Sequence, residues 1–170
     1  MLYLLDANTL IDAARDYYPI SRVPEFWDWL EYHGTADAIK IPIEIFEEIT
    51  GSEDELSEWL QTDAVRTALV LNEDVQPALV EHVVTIGYAP DLTDDDLIRV
   101  GRDPFLIAYG LASPRDRCVV STEASKPSAR RANRKVPDVC RGFAIDCCHT
   151  FELVRRLDFT TQWRRPIGGS

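Results

Sequence analysis

Four carboxylates, Asp6, Glu48, Asp103 and Glu123, stand where an acid is either costly or useful. Asp6 ends the apolar run Leu2-Tyr3-Leu4-Leu5 and is followed at once by Ala7-Asn8-Thr9-Leu10-Ile11. Four apolar residues without alternation read as a strand buried on both faces, as in a parallel sheet. An acid placed where such a strand stops lies in the crevice where open α/β sheets keep their ligands. It is costly there unless solvated, hydrogen-bonded or bound to a cation. Glu48 follows the second strand on a helix beside Ile45 and Ile49. Asp103 stands at the mouth of an apolar helix, and Glu123 lies two residues beyond another strand. In a parallel sheet these positions gather at one edge, where the acids would repel one another and some would hold protons. A hard divalent cation, Mg²⁺ or Mn²⁺, removes that conflict because it prefers oxygen ligands. With open coordination positions, such a site can orient water and stabilise charge on a phosphodiester.

Each acid also has a plainer explanation. Asp103 before Pro104 has the form of a helix N-cap. Glu48 shares its helix with Glu44 and Glu47, so a solvated acidic face accounts for it. Glu44 and Glu48 lie one turn apart, and spacing does not choose between them. Glu123 in a loop reads as surface. Asp6 has the fewest such alternatives.

The elements that must position these acids follow from pattern and punctuation. A first helix is predicted from Thr9 to Tyr17, stopped before Pro19, and a second from Pro24 to Gly34. A short strand over 38–41 precedes a helix from Pro42 to Gly51. Ser52-Glu53-Asp54-Glu55 has the form of a capping box restarting a helix. A helical stretch is predicted over 73–86, and the acids Asp94, Asp95 and Asp96 suit a helix N-terminus. The run Phe105-Leu106-Ile107-Ala108-Tyr109 must be a buried helix. A strand over 118–121 leads into a basic loop from Glu123 to Pro137. A short helix, a strand over 144–147 and a helix from Thr150 to Arg156 complete one α/β domain over 1–160, with a frayed tail over 161–170.

The chain of 170 residues suffices for a single core. Its net charge of −11 excludes a simple basic nucleic-acid coat. The charge is uneven: residues 1–110 carry 6 Lys/Arg against 23 Asp/Glu, a balance of −17, and residues 111–170 carry 12 against 6, a balance of +6, which together give −11. That division suits carboxylates that hold metal beside arginines that hold phosphate. No run approaches the roughly 20 apolar residues of a membrane span, and the N-terminus lacks a leader's basic and apolar regions. Cys118, Cys140, Cys147 and Cys148 form no C-x-x-C pair and are expected as buried, reduced thiols of a cytoplasmic protein. Zinc at Cys140, Cys147, Cys148 and His149 does not fit structural-site spacing. Trp27, Trp29 and Trp59 serve either the core or a homodimer contact.

Tyr3-Leu4-Leu5-Asp6-Ala7-Asn8-Thr9-Leu10-Ile11 resembles the opening strand and helix of PIN-domain nucleases. Glu48-Ile49 resembles that family's acidic–apolar pair. Asp103-Pro104-Phe105-Leu106-Ile107-Ala108 resembles its Asp-x-x-Ile-Ala element. Val119-Val120-Ser121-Thr122-Glu123 is similar to its strand ending in Thr-x-Asp, with Glu in place of Asp. The match spans roughly residues 2–148. Phe26-Trp27-Asp28-Trp29-Leu30 and Val136-Pro137-Asp138-Val139-Cys140-Arg141 further resemble a bacterial or archaeal branch catalogued as a domain of unknown function.

The resemblance implies a three-layer α/β/α fold with a central parallel sheet of about five strands. It implies a metal-dependent endoribonuclease, as in VapC-type toxins, with a cognate antitoxin as partner. Asp6, Glu48, Asp103 and Glu123 would be catalytic and bind Mg²⁺ or Mn²⁺, with Glu123 the departure that puts the far metal position in doubt. Asn8 and Ser121 would orient the carboxylates. Arg130, Arg131, Arg134 and Lys135 would contact RNA phosphates; the alternative is a disordered, solvated loop. Two rivals remain: a degenerate PIN-like module that binds RNA or protein without cutting, and a haloacid-dehalogenase-type phosphatase. The second is disfavoured because Asn8 stands where that family needs an acid.

Overall fold

The run Leu2–Leu5 forms β1, with Leu4 and Leu5 wholly buried as a strand covered on both faces requires. It lies inside a parallel sheet with β2 (Ile39–Lys40) on one side and β3 (Arg117–Val120) on the other. β4 (Asp146–Cys148) pairs with β3, so the strand order is β2-β1-β3-β4. Helices flank the sheet, and the fold is α/β in three layers. The structure is a computed structural model that describes residues 1–164.

Four strands are present where about five were expected. The fifth is reduced to one parallel bridge between Ile41 and Val70. The Ile41 N–H donates to Leu69 (2.7 Å) and the Leu71 N–H to Ile41 (2.9 Å). The chain then enters Asn72-Glu73-Asp74, which offers no apolar face, and the Glu73 carboxylate is taken by Arg117 at 2.6 Å.

α1 (Ala7–Asp12) runs into a π-helical turn, Ala13–Tyr17, and stops before Pro19 as predicted. α2 (Pro24–Thr35) buries Phe26, Trp27, Trp29 and Leu30. Trp27 and Trp29 are each 1% exposed, and Trp59 packs edge-on to Trp27 at 4.8 Å. Trp27 and Trp29 belong to the core, and Trp59 is partly buried against it. α3 (Ile43–Ile49) follows Pro42. α4 (Glu55–Leu60) is capped by Asp54, whose carboxylate accepts from the Ser57 N–H, rather than by Ser52. α5 (Asp63–Leu69) went unpredicted.

The stretch predicted over 73–86 starts later, at Pro77. It comprises α6 (Pro77–His82) and a π-helical turn, Val83–Tyr88. α7 (Asp94–Val100) carries a Thr93–Asp96 capping box. α8 (Asp103–Ala112) is almost wholly buried. After β3 the loop contains a 3₁₀ turn, Arg131–Asn133, and leads to α9 (Val136–Gly142). Ala144 adopts φ +55° in the following turn, so β4 begins at Asp146 rather than at 144. α10 (Thr150–Arg156) has its predicted bounds. The tail expected to fray from 161 is anchored at Trp163, whose indole N–H donates to the Glu25 carbonyl (3.0 Å). Residues 165–170 lie outside those described.

Candidate functional site

The carboxyl ends of three strands are stitched together around Asp6. Its N–H donates to the Val120 carbonyl (3.0 Å), and the Thr9 hydroxyl donates to the same oxygen (3.0 Å). The Ser121 N–H donates to Cys148 (3.1 Å), which fixes β3 against β4. The Ser121 hydroxyl donates to Asp6 Oδ2 (2.8 Å) and accepts from the Glu123 N–H (3.2 Å). One buried hydroxyl thus orients both the first acid and the backbone of the last. Thr9 was not singled out from sequence, although a polar residue in a helix's first turn beside a buried strand end is a readable signal.

The electrostatics draw the predicted acids into one site. Asp6 is 3% exposed, and burial pushes its carboxyl up to about 6, with Glu123 and Glu48 adding repulsion and Ser121 opposing. Asp103, half-buried at the start of α8, is pushed up to about 8, by burial first and then by Asp6, Glu123 and Glu48. Lys135 opposes that rise. Much of Glu48 is exposed, yet partial burial raises its carboxyl against the pull of Arg102. Asp103 is not the N-cap that the Asp-Pro pair predicted: Arg102 holds that position, without a side-chain capping bond. Glu44, the alternative to Glu48, turns instead toward Tyr109, with Oε2 buried and without a hydrogen-bond partner among the described residues.

Glu123 is held differently from the other three. Its Oε1 pairs with Lys135 Nζ at 2.6 Å, and its Oε2 accepts from the Val136 N–H at 2.8 Å. Asn8 is exposed on the first turn of α1 and makes no side-chain hydrogen bond among the described residues, so only Ser121 of the predicted orienting pair touches an acid.

The basic loop is exposed over much of its length but pinned by hydrogen bonds. Asp138, 7% exposed, accepts from the Ser125 hydroxyl (2.5 Å), the Lys126 N–H (2.6 Å) and Arg141 (3.2 Å). Arg131 pairs with Asp91 (2.5 Å) and Asp96 (3.3 Å). Arg134 donates to the carbonyls of Gly87 and Asp138. Three of the four predicted phosphate contacts, Arg131, Arg134 and Lys135, are therefore already engaged within the chain. Arg130 donates only to the nearby carbonyls of Pro127 and Ala129. The loop walls a cleft of about 710 Å³ that Asp103 and Glu123 also line. Two further cations reach it, Arg99 from α7 and Lys126. Arg99, Lys126 and Arg130 have no carboxylate partner among the described residues. Sequence reasoning missed Arg99 because only the tertiary fold brings α7 to this loop, where Arg99 meets Asn133 at 3.4 Å.

The donor set suits Mg²⁺ or Mn²⁺ in its chemistry, being all oxygen and including the buried Asp6 and half-buried Asp103, whose repulsion a cation would relieve. It is not a finished cage: no group of three or more His, Cys, Asp or Glu side chains among the described residues is already disposed to hold a metal ion. No helix among them is long and apolar enough to cross a membrane.

Fold and site together define an α/β protein whose parallel-sheet edge gathers acids opposite a cationic cleft. Residues 3–161 match the family model described as a domain of unknown function, DUF4411, and the chain belongs to that family. No curated protein and no solved structure matches it.

Proposed function

We propose that this protein is a Mg²⁺- or Mn²⁺-dependent endoribonuclease that hydrolyses RNA phosphodiester bonds at the sheet edge. The observation that supports this best is the gathering of Asp6 and Asp103, the first of which adds to the raised proton affinity of the second, near a cleft that Arg99, Lys126 and Arg130 line without a carboxylate partner among the described residues. Asp6, Asp103 and Glu48 are the residues that would hold the cation, with Glu123 joining them once released from Lys135. The bound cation supplies charge neutralisation at the scissile phosphate. Ser121 keeps one Asp6 oxygen occupied and so fixes the direction of the other. Arg99, Lys126 and Arg130 hold the phosphates on either side of the bond and orient the strand. The toxin role and its antitoxin belong to the same reading.

The Glu123–Lys135 ion pair favours a second reading, a PIN-like module that binds RNA without cutting it. Incubating an RNA pool with the purified protein, with and without Mn²⁺, and mapping product ends separates the two. Mn²⁺-dependent new ends that vanish in Asp6→Asn support the nuclease. RNA binding with no new ends supports the binding module.

A further inference from the structure

Two cysteine sulfurs face each other across β3 and the edge strand β4. Cys118 pairs in register with Asp146, and Val120 with Cys148. Residues two apart on a strand share a face, so Cys118, Asp146 and Cys148 lie together and Cys147 lies on the other side. Cys118 is fully buried and Cys148 is 7% exposed, and neither is in a disulfide. Their sulfur atoms are 3.5 Å apart, with the Cys118 S–H donating to Cys148 and the Val119 carbonyl a more distant acceptor at 3.6 Å. Arg156 of α10 reaches the same place: its Nη1 donates to the Cys118 sulfur (3.6 Å) and pairs with Asp146 (2.7 Å).

The donors run one way, from Arg156 to Cys118 to Cys148. Donation from Cys118 holds the Cys148 thiol below its usual range against burial, with Arg156 assisting and Asp146 and Glu152 opposing. Cys118, which gives its proton to that bond and is buried, is pushed up. Cys148 is therefore the sulfur with thiolate character, the form that reacts, and a protonated thiol already touches it. Its slight exposure on an edge strand admits a small reagent and excludes a bulky one.

We propose that Cys148 and Cys118 are a redox-active pair, in which a small hydroperoxide oxidises Cys148 and Cys118 then closes a disulfide. The Cys148 thiolate attacks the hydrogen-bearing oxygen of the hydroperoxide. The O–O bond breaks with its electron pair on the other oxygen, which takes a proton from water and leaves as an alcohol, and Cys148 becomes a sulfenic acid. The Cys118 sulfur then attacks the Cys148 sulfur, the S–O bond breaks, and hydroxide leaves as water with the Cys118 proton. The two thiols give up two electrons, the hydroperoxide accepts them, and the products are one disulfide, one alcohol and one water. Closure brings the sulfurs from 3.5 Å to the roughly 2.05 Å of a disulfide. Diagonal neighbours in a sheet are about 7–8 Å apart, at the upper limit of disulfide span, so closure draws the end of β4 toward β3 and leaves a bond of the readily reduced kind. The Cys148 carbonyl accepts from the Ser121 N–H, so the movement falls one residue from the hydroxyl that holds Asp6. This chemistry stands independently of the proposed nuclease.

The test is treatment of the reduced full chain with hydrogen peroxide, followed by alkylation and peptide mapping. Cys147 is the internal control, adjacent on β4 and more exposed. Cys148 should react roughly 10-fold faster than Cys147 and appear in a disulfide with Cys118 that a dithiol reductant reopens. In Cys118→Ser, whose fold is checked by circular dichroism, the sulfenic acid should persist at Cys148 and be trapped by dimedone. Oxidation that starts at Cys147, or wild-type protein that forms no link between Cys118 and Cys148, overturns the proposal.

Discussion

Asp6 and Asp138 are both buried carboxylates, and their environments push them in opposite directions. Asp6 lies deep at the end of β1, where burial outweighs its bond from Ser121 and lifts it to about 6. Asp138 lies under the loop draped across it. Burial also raises Asp138, but the Ser125 hydroxyl, the Lys126 N–H, Arg141 and Arg134 outweigh burial and hold it below the usual carboxylate range. One acid is provided with donors and serves the loop's shape. The other is left short of them, and Asp103 beside it still more so. A fold that can satisfy Asp138 so fully leaves Asp6 and Asp103 charged only at a cost, as expected of a site waiting for a cation.

The two kinds of acid should differ most in chemistry. Asp6→Asn or Asp103→Asn should abolish Mn²⁺-dependent RNA cleavage with the circular dichroism spectrum unchanged; retained cleavage in both would sink the site. Asp138→Asn should instead cost about 2 kcal/mol of stability in chemical denaturation, since it strips a buried network of its charged acceptor. Equal stability would mean that the loop does not depend on it.

The two kinds of acid also differ in sign with pH. Asp103 is raised from the ordinary 3.8 to about 8, so the folded protein keeps a proton that the unfolded chain releases. Its contribution is full below about pH 4 and is lost as pH rises toward 8. Metal-free protein should therefore lose stability across that window, and Asp103→Asn should remove most of the loss, gaining roughly 1–3 kcal/mol near pH 8. Asp138, lowered, contributes above about pH 4 and fails on acidification. A flat stability profile for both variants would erase the contrast.

A smaller effect concerns RNA affinity. Neutralising Arg99, Lys126 and Arg130 together should flatten the salt dependence of binding by about 2 in log–log slope, at roughly 0.7 for each phosphate that then keeps its counterion. Neutralising Arg131 and Arg134 should leave the slope nearly as it was, because their charges already serve the chain. Equal slopes for the two sets would show that the ion pairs do not decide which cations meet phosphate. The smallest effect is at Ser121→Ala, which should cost about 1 kcal/mol and push Asp6 higher still, measurable by carboxyl NMR.

Asp6 was legible in the sequence because an acid ending an unbroken apolar run has few places to go, and the fold puts it at the sheet edge. Ser121 and Asp103 were legible for related reasons, each sitting at the boundary of an apolar element. α5 was not: its buried Val65, Ala68 and Leu69 do follow i, i+3, i+4 spacing, but seven residues give too short a window to fix a period. The fifth strand reduced to Val70 escaped notice because a single bridge residue leaves no alternation to read.

The sequence by itself determined the parallel α/β plan, the acids and their order, because periodicity and punctuation act over a few residues and survive without the fold. Which charges are spent was decided only in three dimensions. Glu123 meets Lys135, Arg131 meets Asp91, Arg134 meets Gly87, and Arg99 lines the cleft with no carboxylate partner among the described residues. Those outcomes turn on partners up to 47 residues apart, and a charge's worth depends on what stands within a few ångströms of it.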